Sequence, residues 1–376
     1  MIIRITDPLE DRHTASQSFL ENRYDVISRS GLSPTEAQLI QALPMLSSPE
    51  HVLVMGNRTG VLGMIASRVH PGSVVVTSTL DLFHHHAVER NLARNPFTTV
   101  TARCEADIAE RNHYDAAFLQ LSKGSMPDEL ILDLLQQSHL ALKMNGTCLI
   151  SAEENTAWLA EHVKKVFGQC SIRERLPAAT LLSGHKKQDP KKIKDYRAEF
   201  TMTLPHGKSA ALTTRPGVFA HRRVDEGAQA LAEVVVTQPG DLILDMGCGC
   251  GSIGLSLAVN QPSAEVVFLD SHTRALHATE HNCRINGLSR YRVVLADQGL
   301  EEESRFTLFV GNPPYYSNDR ITDLFIHTAF KTLKPQGRAY LVAKHSERNA
   351  EVMKTLFGNA EILHRRGYQI ARAVKS

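Results

Sequence analysis

Short apolar runs rich in β-branched residues alternate along this chain with longer stretches of helical period. In the C-terminal half, Leu242–Leu244, Glu265–Leu269, Tyr291–Leu295, Leu308–Val310 and Ala339–Val342 predict strands. Arg274–Ile285 and Thr322–Thr332 predict helices between them. Alternation of this kind builds an α/β fold: a parallel sheet covered by helices on both faces, with ligands taken up beyond the carboxyl ends of the strands. No apolar run approaches the ~18–20 residues that span a bilayer. The opening segment meets Arg4 and Asp7 before an apolar signal core can form. The expectation is a soluble, cytoplasmic protein with no membrane partner, acting as a monomer.

The pattern repeats. Val52–Gly63 aligns with Leu242–Gly254 so that Gly56 falls on Gly247, Gly60 on Gly251 and Gly63 on Gly254, an offset of 191 residues. The same offset carries Glu89, Asn91 and Asn95 onto Glu280, Asn282 and Asn286, and Gly146 onto Gly337. One register held over so long a span predicts two copies of a single α/β domain. The expected boundaries are 1–178 for the first copy, 179–212 for a linker and 213–376 for the second.

Composition adds little beyond excluding a disordered chain: 42% of the 376 residues are hydrophobic and 22% charged. The six cysteines form no C-x-x-C pair, which argues against structural zinc and a disulfide scaffold; no metal is expected. Charge changes the picture more. Residues 173–223 hold twelve Lys/Arg and four Asp/Glu, so the net +2 is the remainder of a +8 block against a −6 background. Such a block is a candidate RNA contact, with Lys186, Lys187, Lys191, Lys192, Arg222 and Arg223 as its residues, or else a solvated linker.

Candidate chemistry is concentrated in the second copy. Asp245 opens a run in which Gly247, Gly249 and Gly251 stand at alternate positions. Glycines so spaced let the backbone turn sharply and approach a ligand closely, and a helix starting near Ser252 would aim its N-terminal amides at that ligand. Many nucleotide and nucleoside binders share such a turn. Asp270, closing the next strand, can accept from two ribose hydroxyls or serve as a helix cap. Asp297, closing a third, can accept from an adenine amino group or be an ordinary loop residue. After the fourth strand comes Asn312–Pro313–Pro314–Tyr315. Its prolines fix the backbone and display the Asn312 amide. The Asn312 oxygen and the Pro313 carbonyl can each accept from a planar amino group, and Tyr315 can stack on a base.

Together, Asp245–Gly251, Asp270, Asp297 and Asn312–Tyr315 resemble the motifs of class I S-adenosylmethionine-dependent methyltransferases. The duplicated layout, with Arg215–Ala220 and Val224–Gly227, is similar to the bacterial ribosomal RNA (guanine-N2)-methyltransferases, whose first Rossmann-like methyltransferase domain is degenerate. The resemblance implies S-adenosyl-L-methionine as cofactor and ribosomal RNA or a ribosomal subunit as partner. It implies cofactor binding by Asp245, Gly247, Gly249, Gly251, Asp270 and Asp297, and catalysis by Asn312, Pro313, Pro314 and Tyr315. Tyr315–Tyr316 stands where that group usually has Phe-His. Asn-Pro-Pro-Tyr also belongs to adenine-N6 and protein glutamine-N5 methyltransferases, so those activities stay open, as does a non-catalytic RNA-binding assembly factor.

The first copy lacks this equipment. Val54 stands at the Asp245 position, Arg58 at the middle glycine and Thr79 at the Asp270 position, and no Asn-Pro-Pro follows Leu119. It is expected neither to bind the cofactor nor to catalyse, with Arg58 intruding where a ligand would need the backbone. Its role is then RNA positioning or structural support.

Overall fold

A computed structural model describes residues 32–95, 98–121, 126–190, 192–314 and 319–376, together with the backbone of strands 2–6 and 23–27. The chain divides into two compact units, Met1–Tyr196 and Arg197–Ser376.

The first unit begins with an antiparallel pair, β1 (Ile2–Thr6) and β2 (Arg23–Ile27). There follow α1 (Pro34–Ala42), β3 (His51–Met55), α2 (Val61–Val69), β4 (Val74–Thr79), α3 (Leu82–Ala93) and β5 (Val100–Cys104). It continues with β6 (Tyr114–Leu121), α4 (Asp128–Ala141), β7 (Leu142–Ala152), α5 (Thr156–Phe167), β8 (Ser171–Arg175) and β9 (Thr180–His185). The second unit opens with a hairpin, β10 (Ala198–Thr203) and β11 (Ser209–Thr214). Next come α6 (Glu226–Val234), β12 (Leu242–Met246), α7 (Ser252–Asn260), β13 (Glu265–Asp270), α8 (Thr273–Ile285) and β14 (Tyr291–Leu295). It closes with β15 (Phe306–Gly311), α9 (Arg320–Thr332), β16 (Leu333–Ala343), α10 (Glu347–Phe357), β17 (Glu361–Arg365) and β18 (Tyr368–Val374).

Each unit is built on one seven-stranded sheet, and the two sheets have the same strand order. They read β5-β4-β3-β6-β7-β9-β8 and β14-β13-β12-β15-β16-β18-β17. All neighbours pair in parallel except around β9 and β18, which run antiparallel to both of theirs. The expected duplication and α/β class are therefore seen directly. The central strands are apolar without alternation because helices cover both faces: Ile243, Leu244, Val266, Val267, Leu308 and Phe309 are all fully buried. In the second unit the order reverses between β12 and β15, and in an open sheet that point leaves a crevice beyond the strand ends.

The expected linker 179–212 is not one. Thr180–His185 is the antiparallel strand β9, hydrogen-bonded to β7 as β18 is to β16. Ala198–Thr203 and Ser209–Thr214 form the hairpin of the second unit. The two ends of the segment therefore pair within the two units, and the stretch 186–197 between them carries no helix or strand among its described residues. Lys186 is also corrected. It is fully buried, and its ammonium donates to Asn112 Oδ1 at 2.6 Å and to the Leu142 carbonyl at 3.0 Å. It ties a strand end to a loop and is not available to RNA.

Candidate active site

The loop after β12 is held from below. Gly247, Gly249 and Gly251 adopt φ of 66°, 58° and 79°, the left-handed region that side chains disfavour. The amides of Gly247 and Cys248 both donate to the Leu269 carbonyl at the end of β13, at 2.7 and 3.1 Å. Asp270 Oδ2 accepts from the Gly249 amide and Oδ1 from the His272 amide, both at 2.9 Å. Asp270 therefore shapes the loop as well as closing its strand; the N-cap of α8 is His272, not Asp270. From α8, Thr279 donates to the Gly249 carbonyl at 3.0 Å and Asn282 to the Cys250 carbonyl at 2.9 Å. Asn282 also exchanges hydrogen bonds with the Thr213 backbone on β11. The first unit repeats the support: Asn91 donates to the Thr59 carbonyl at 2.8 Å. The repeated asparagines thus hold the loop, a role that sequence reasoning missed although the repeat had marked them.

Asp245 is fully buried beneath this loop. Its Oδ2 accepts from the Gly254 amide at 2.8 Å, while Oδ1 is buried with no hydrogen-bond partner. Burial pushes its carboxyl up to about 7; the Gly254 amide opposes the rise and the charge of Asp270 adds to it. Cys248 and Cys250 are buried too, and burial raises their thiols, Cys250 to about 11. They fill space as protonated thiols, as their glycine-flanked positions suggested.

Asn312 follows β15 and faces the same crevice. Its Nδ2 donates to Asp225 Oδ2 at 2.9 Å. Asp225 is the N-cap of α6, and the same oxygen accepts from the Ala228 amide at 2.8 Å. Pro313 is buried and Pro314 half-buried; Tyr315 lies outside the described residues. One cleft is lined by Cys248, Gly249, Cys250, Asp225, Arg223 and Asn312, with Phe200 and Phe219 at its apolar side. At Gly249 an added Cβ would meet nothing within 4 Å, so the backbone itself faces open space.

The loop from Arg215 to Arg223 forms one side of the cleft. Arg274, fully buried, donates to the Pro216 carbonyl at 2.8 Å. Thr214 Oγ1 pairs with His221 Nδ1 at 2.8 Å and accepts from the Arg222 amide at 3.2 Å. These contacts hold Ala220 and Arg222 at φ of 54° and 71°. Phe219 is left 61% exposed at the lip. Arg223 also lines the cleft and Arg222 is exposed beside it. Lys187 and Lys192 are exposed on the first unit, and Lys191 lies outside the described residues. Asp297 is half-buried after β14 and is not among the residues lining this cleft.

Known proteins resemble the chain over most of its length. The model of the methyltransferase small domain matches residues 209–372. Ribosomal RNA small subunit methyltransferase C of Stutzerimonas stutzeri is 28% identical over 284 residues, 73% of this chain and 83% of that protein. The protein of the same name from Vibrio vulnificus is 23% identical over 324 residues, 84% of this chain and 91% of its own. The solved T. thermophilus 16S rRNA N2 methyltransferase, in complex with AdoMet and guanosine, superposes with a TM-score of 0.77 at 19% identity, covering 100% of this chain and 98% of that one. The second unit is thus similar to the methyltransferase small domain, and the chain as a whole to those rRNA methyltransferases.

The first unit carries a changed version of the same crevice. Strand register places Val54 opposite Phe118 and Asp245 opposite Val310, so Gln120 stands where the second unit has Asn312. Glu36, on α1, is buried at the place of Ala228 on α6. It accepts from Asn57 Nδ2 at 2.7 Å and from Thr59 Oγ1 at 2.5 Å. Asn57 donates also to Gln120 Oε1 at 2.8 Å. Side chains thus occupy the positions that line the cleft in the second unit. Arg58, expected to intrude, is exposed; the closed network of Glu36, Asn57, Thr59 and Gln120 fills the space instead.

Proposed function

We propose that this protein transfers a methyl group from S-adenosylmethionine to the exocyclic N2 of a guanine in ribosomal RNA, acting in the cytoplasm as a single chain. The observation that carries the reading is the convergence of the Gly247–Gly251 loop and Asn312 on one cleft, with the Asn312 amide anchored on Asp225. The likeness to the named rRNA methyltransferases supports it. Two features fit the cofactor: the bare Gly249 backbone in the cleft admits close approach, and beneath the loop the buried Asp245 Oδ1 is an acceptor without a partner. Gly247, Gly249, Gly251, Asp245, Asp270 and Asp297 would hold it. When bound, S-adenosylmethionine supplies an electrophilic methyl on a sulfonium.

The protein's task is set by the acceptor. The lone pair of guanine N2 is delocalised into the ring, which makes it a poor nucleophile. Asn312 Oδ1 and the Pro313 carbonyl accept from its two N–H groups and turn the nitrogen toward the methyl. Fixing that approach is a proximity effect, for which effective molarity supplies up to ~7–11 kcal/mol. The same acceptors stabilise positive charge developing on nitrogen, and the proton leaves after transfer. Tyr315 stacks on the base. Phe219 offers a second face at the lip, and Arg222 and Arg223 provide charge for the RNA backbone, with Lys187, Lys191 and Lys192 contributing from the first unit. That unit holds no cofactor, because Glu36 and its partners fill the corresponding positions.

Nucleoside mass spectrometry of rRNA treated with wild-type protein and with Asn312→Ala tests the reading. The variant should lose about 100–1000-fold in kcat while cofactor affinity by calorimetry stays within two-fold. Formation of N6-methyladenosine, or no gain of N2-methylguanosine with wild-type protein, overturns it.

A further inference from the structure

A carboxamide has two ends of nearly the same shape, and Asn312 can serve the reaction with only one of them. Its oxygen must meet the acceptor amine; turned over, its NH2 would face another NH2, and no hydrogen bond could form. We infer that Asp225 is a positioning residue for methyl transfer, holding the Asn312 amide in its productive orientation. The inference rests on the guanine-N2 reading above.

The geometry carries the point. A carboxylate has acceptors only, so it pairs with the Nδ2 end of an amide and rejects the oxygen end. Asp225 Oδ2 lies 2.9 Å from Asn312 Nδ2, and it is itself fixed by the α6 N-terminus through the Ala228 amide at 2.8 Å. The pair is also sterically enclosed. A Cβ added at Gly227 would stand 3.0 Å from Asp225 Oδ2, 3.3 Å from Tyr368 Cε1 and 3.4 Å from Asn312 Nδ2. Glycine at 227 therefore leaves just the room that the contact takes up.

The first unit provides an internal comparison. Its α1 N-cap, Ser33, accepts from the Glu36 amide at 3.2 Å and from Gln120 Nε2 at 2.8 Å. A cap-to-amide clasp thus exists in both units, joining the first turn of a helix to the end of the strand beside it. In the first unit the cap is a hydroxyl, which can both donate and accept, and the Gln120 oxygen takes the Asn57 amide. A charged, acceptor-only cap occurs where the amide has a reaction to orient. If the clasp served packing alone, a neutral cap would suffice in both.

Asp225→Asn separates the two roles. It keeps the shape and a good N-cap, but its own amide pairs with Asn312 in either sense. The melting temperature and the cofactor Kd should stay near wild type, KM for RNA should move less than three-fold, and kcat should fall about 10–100-fold, the factor expected for a lost hydrogen bond to a charged partner. Asp225→Ser, which copies the cap of the first unit, should show the same split. Wild-type kcat in either folded variant overturns the inference. Failure of the wild-type protein to methylate guanine N2 overturns the reading on which it rests, and the two results are distinguishable because the second is seen without any substitution.

Discussion

Asp245 should make the second unit less stable as pH rises through the range where most proteins are indifferent. Its carboxyl ordinarily ionises at 3.8, and burial raises that in the folded unit to about 7. Between these values the folded chain keeps a proton that the unfolded chain has lost. Stability contributed by the neutral carboxyl is therefore complete below pH ~4 and declines as pH rises to ~7, above which both states are ionised. The displacement corresponds to about 4 kcal/mol at most, near 1.4 kcal/mol per pH unit. Asp245→Asn keeps an acceptor for the Gly254 amide and cannot ionise, so it should remove this slope. Hydrogen exchange of the amides from Leu244 to Leu257, measured between pH 5 and 8 and corrected for intrinsic rates, reads the local stability. Trp158, the sole tryptophan, belongs to the first unit, so its fluorescence during urea unfolding serves as the control that the substitution should leave unchanged. Parallel pH dependences for wild type and Asp245→Asn in the second unit would refute the reasoning.

Three further outcomes follow from the packing and the surface. Gly254→Ala would place a Cβ 2.6 Å from Phe268 Cε1 and 2.9 Å from Asp245 Oδ2, and should cost about 1–3 kcal/mol by overpacking with a matching loss of cofactor affinity; calorimetry and thermal melting read both. Lys186→Ala should destabilise the first unit by about 1–3 kcal/mol through the acceptors it strands, whereas Lys187→Glu with Lys192→Glu should leave the melting temperature alone and weaken RNA binding with a shallower salt slope; nitrocellulose filter binding over a salt series separates them. Phe219→Ala should raise KM for RNA by 5–150-fold if a base stacks there, about 1–3 kcal/mol, without changing the cofactor Kd; a lost cofactor Kd would place the ring against the cofactor instead.

Much of the site could be read from residue order because glycine and proline act on the backbone locally. Gly247, Gly249 and Gly251 take left-handed φ wherever the chain goes next, and the strand-then-loop pattern puts them at a strand end. Asp245, Asp270 and Asn312 were legible for the same reason, each standing in or just after the last residues of a short apolar strand. The support for the loop was half legible: the 191-residue repeat singled out Asn91 and Asn282, but a one-dimensional pattern carries no indication of what an amide touches.

Asp225 shows the other side. It stands 87 residues before Asn312, and the two meet because β15 lies beside β12 while α6 precedes it. Glu36 in the first unit was silent in the sequence, since a single carboxylate on a helix is normally solvated; its place opposite Asn57 and Gln120 turns it into a filler of the crevice. Within the basic block, Lys186 was misread for a related reason. Charge along the chain measures neither burial nor pairing, and the sheet of the first unit draws Lys186 inward while leaving Lys187 exposed. Sequence alone determined the duplicated α/β architecture, the glycine loop and the displayed asparagine, because these depend on backbone geometry within a few residues. Which side chain holds the asparagine, what closes the first crevice and which lysines face solvent were decided by tertiary structure, because each depends on contacts between segments far apart in the chain.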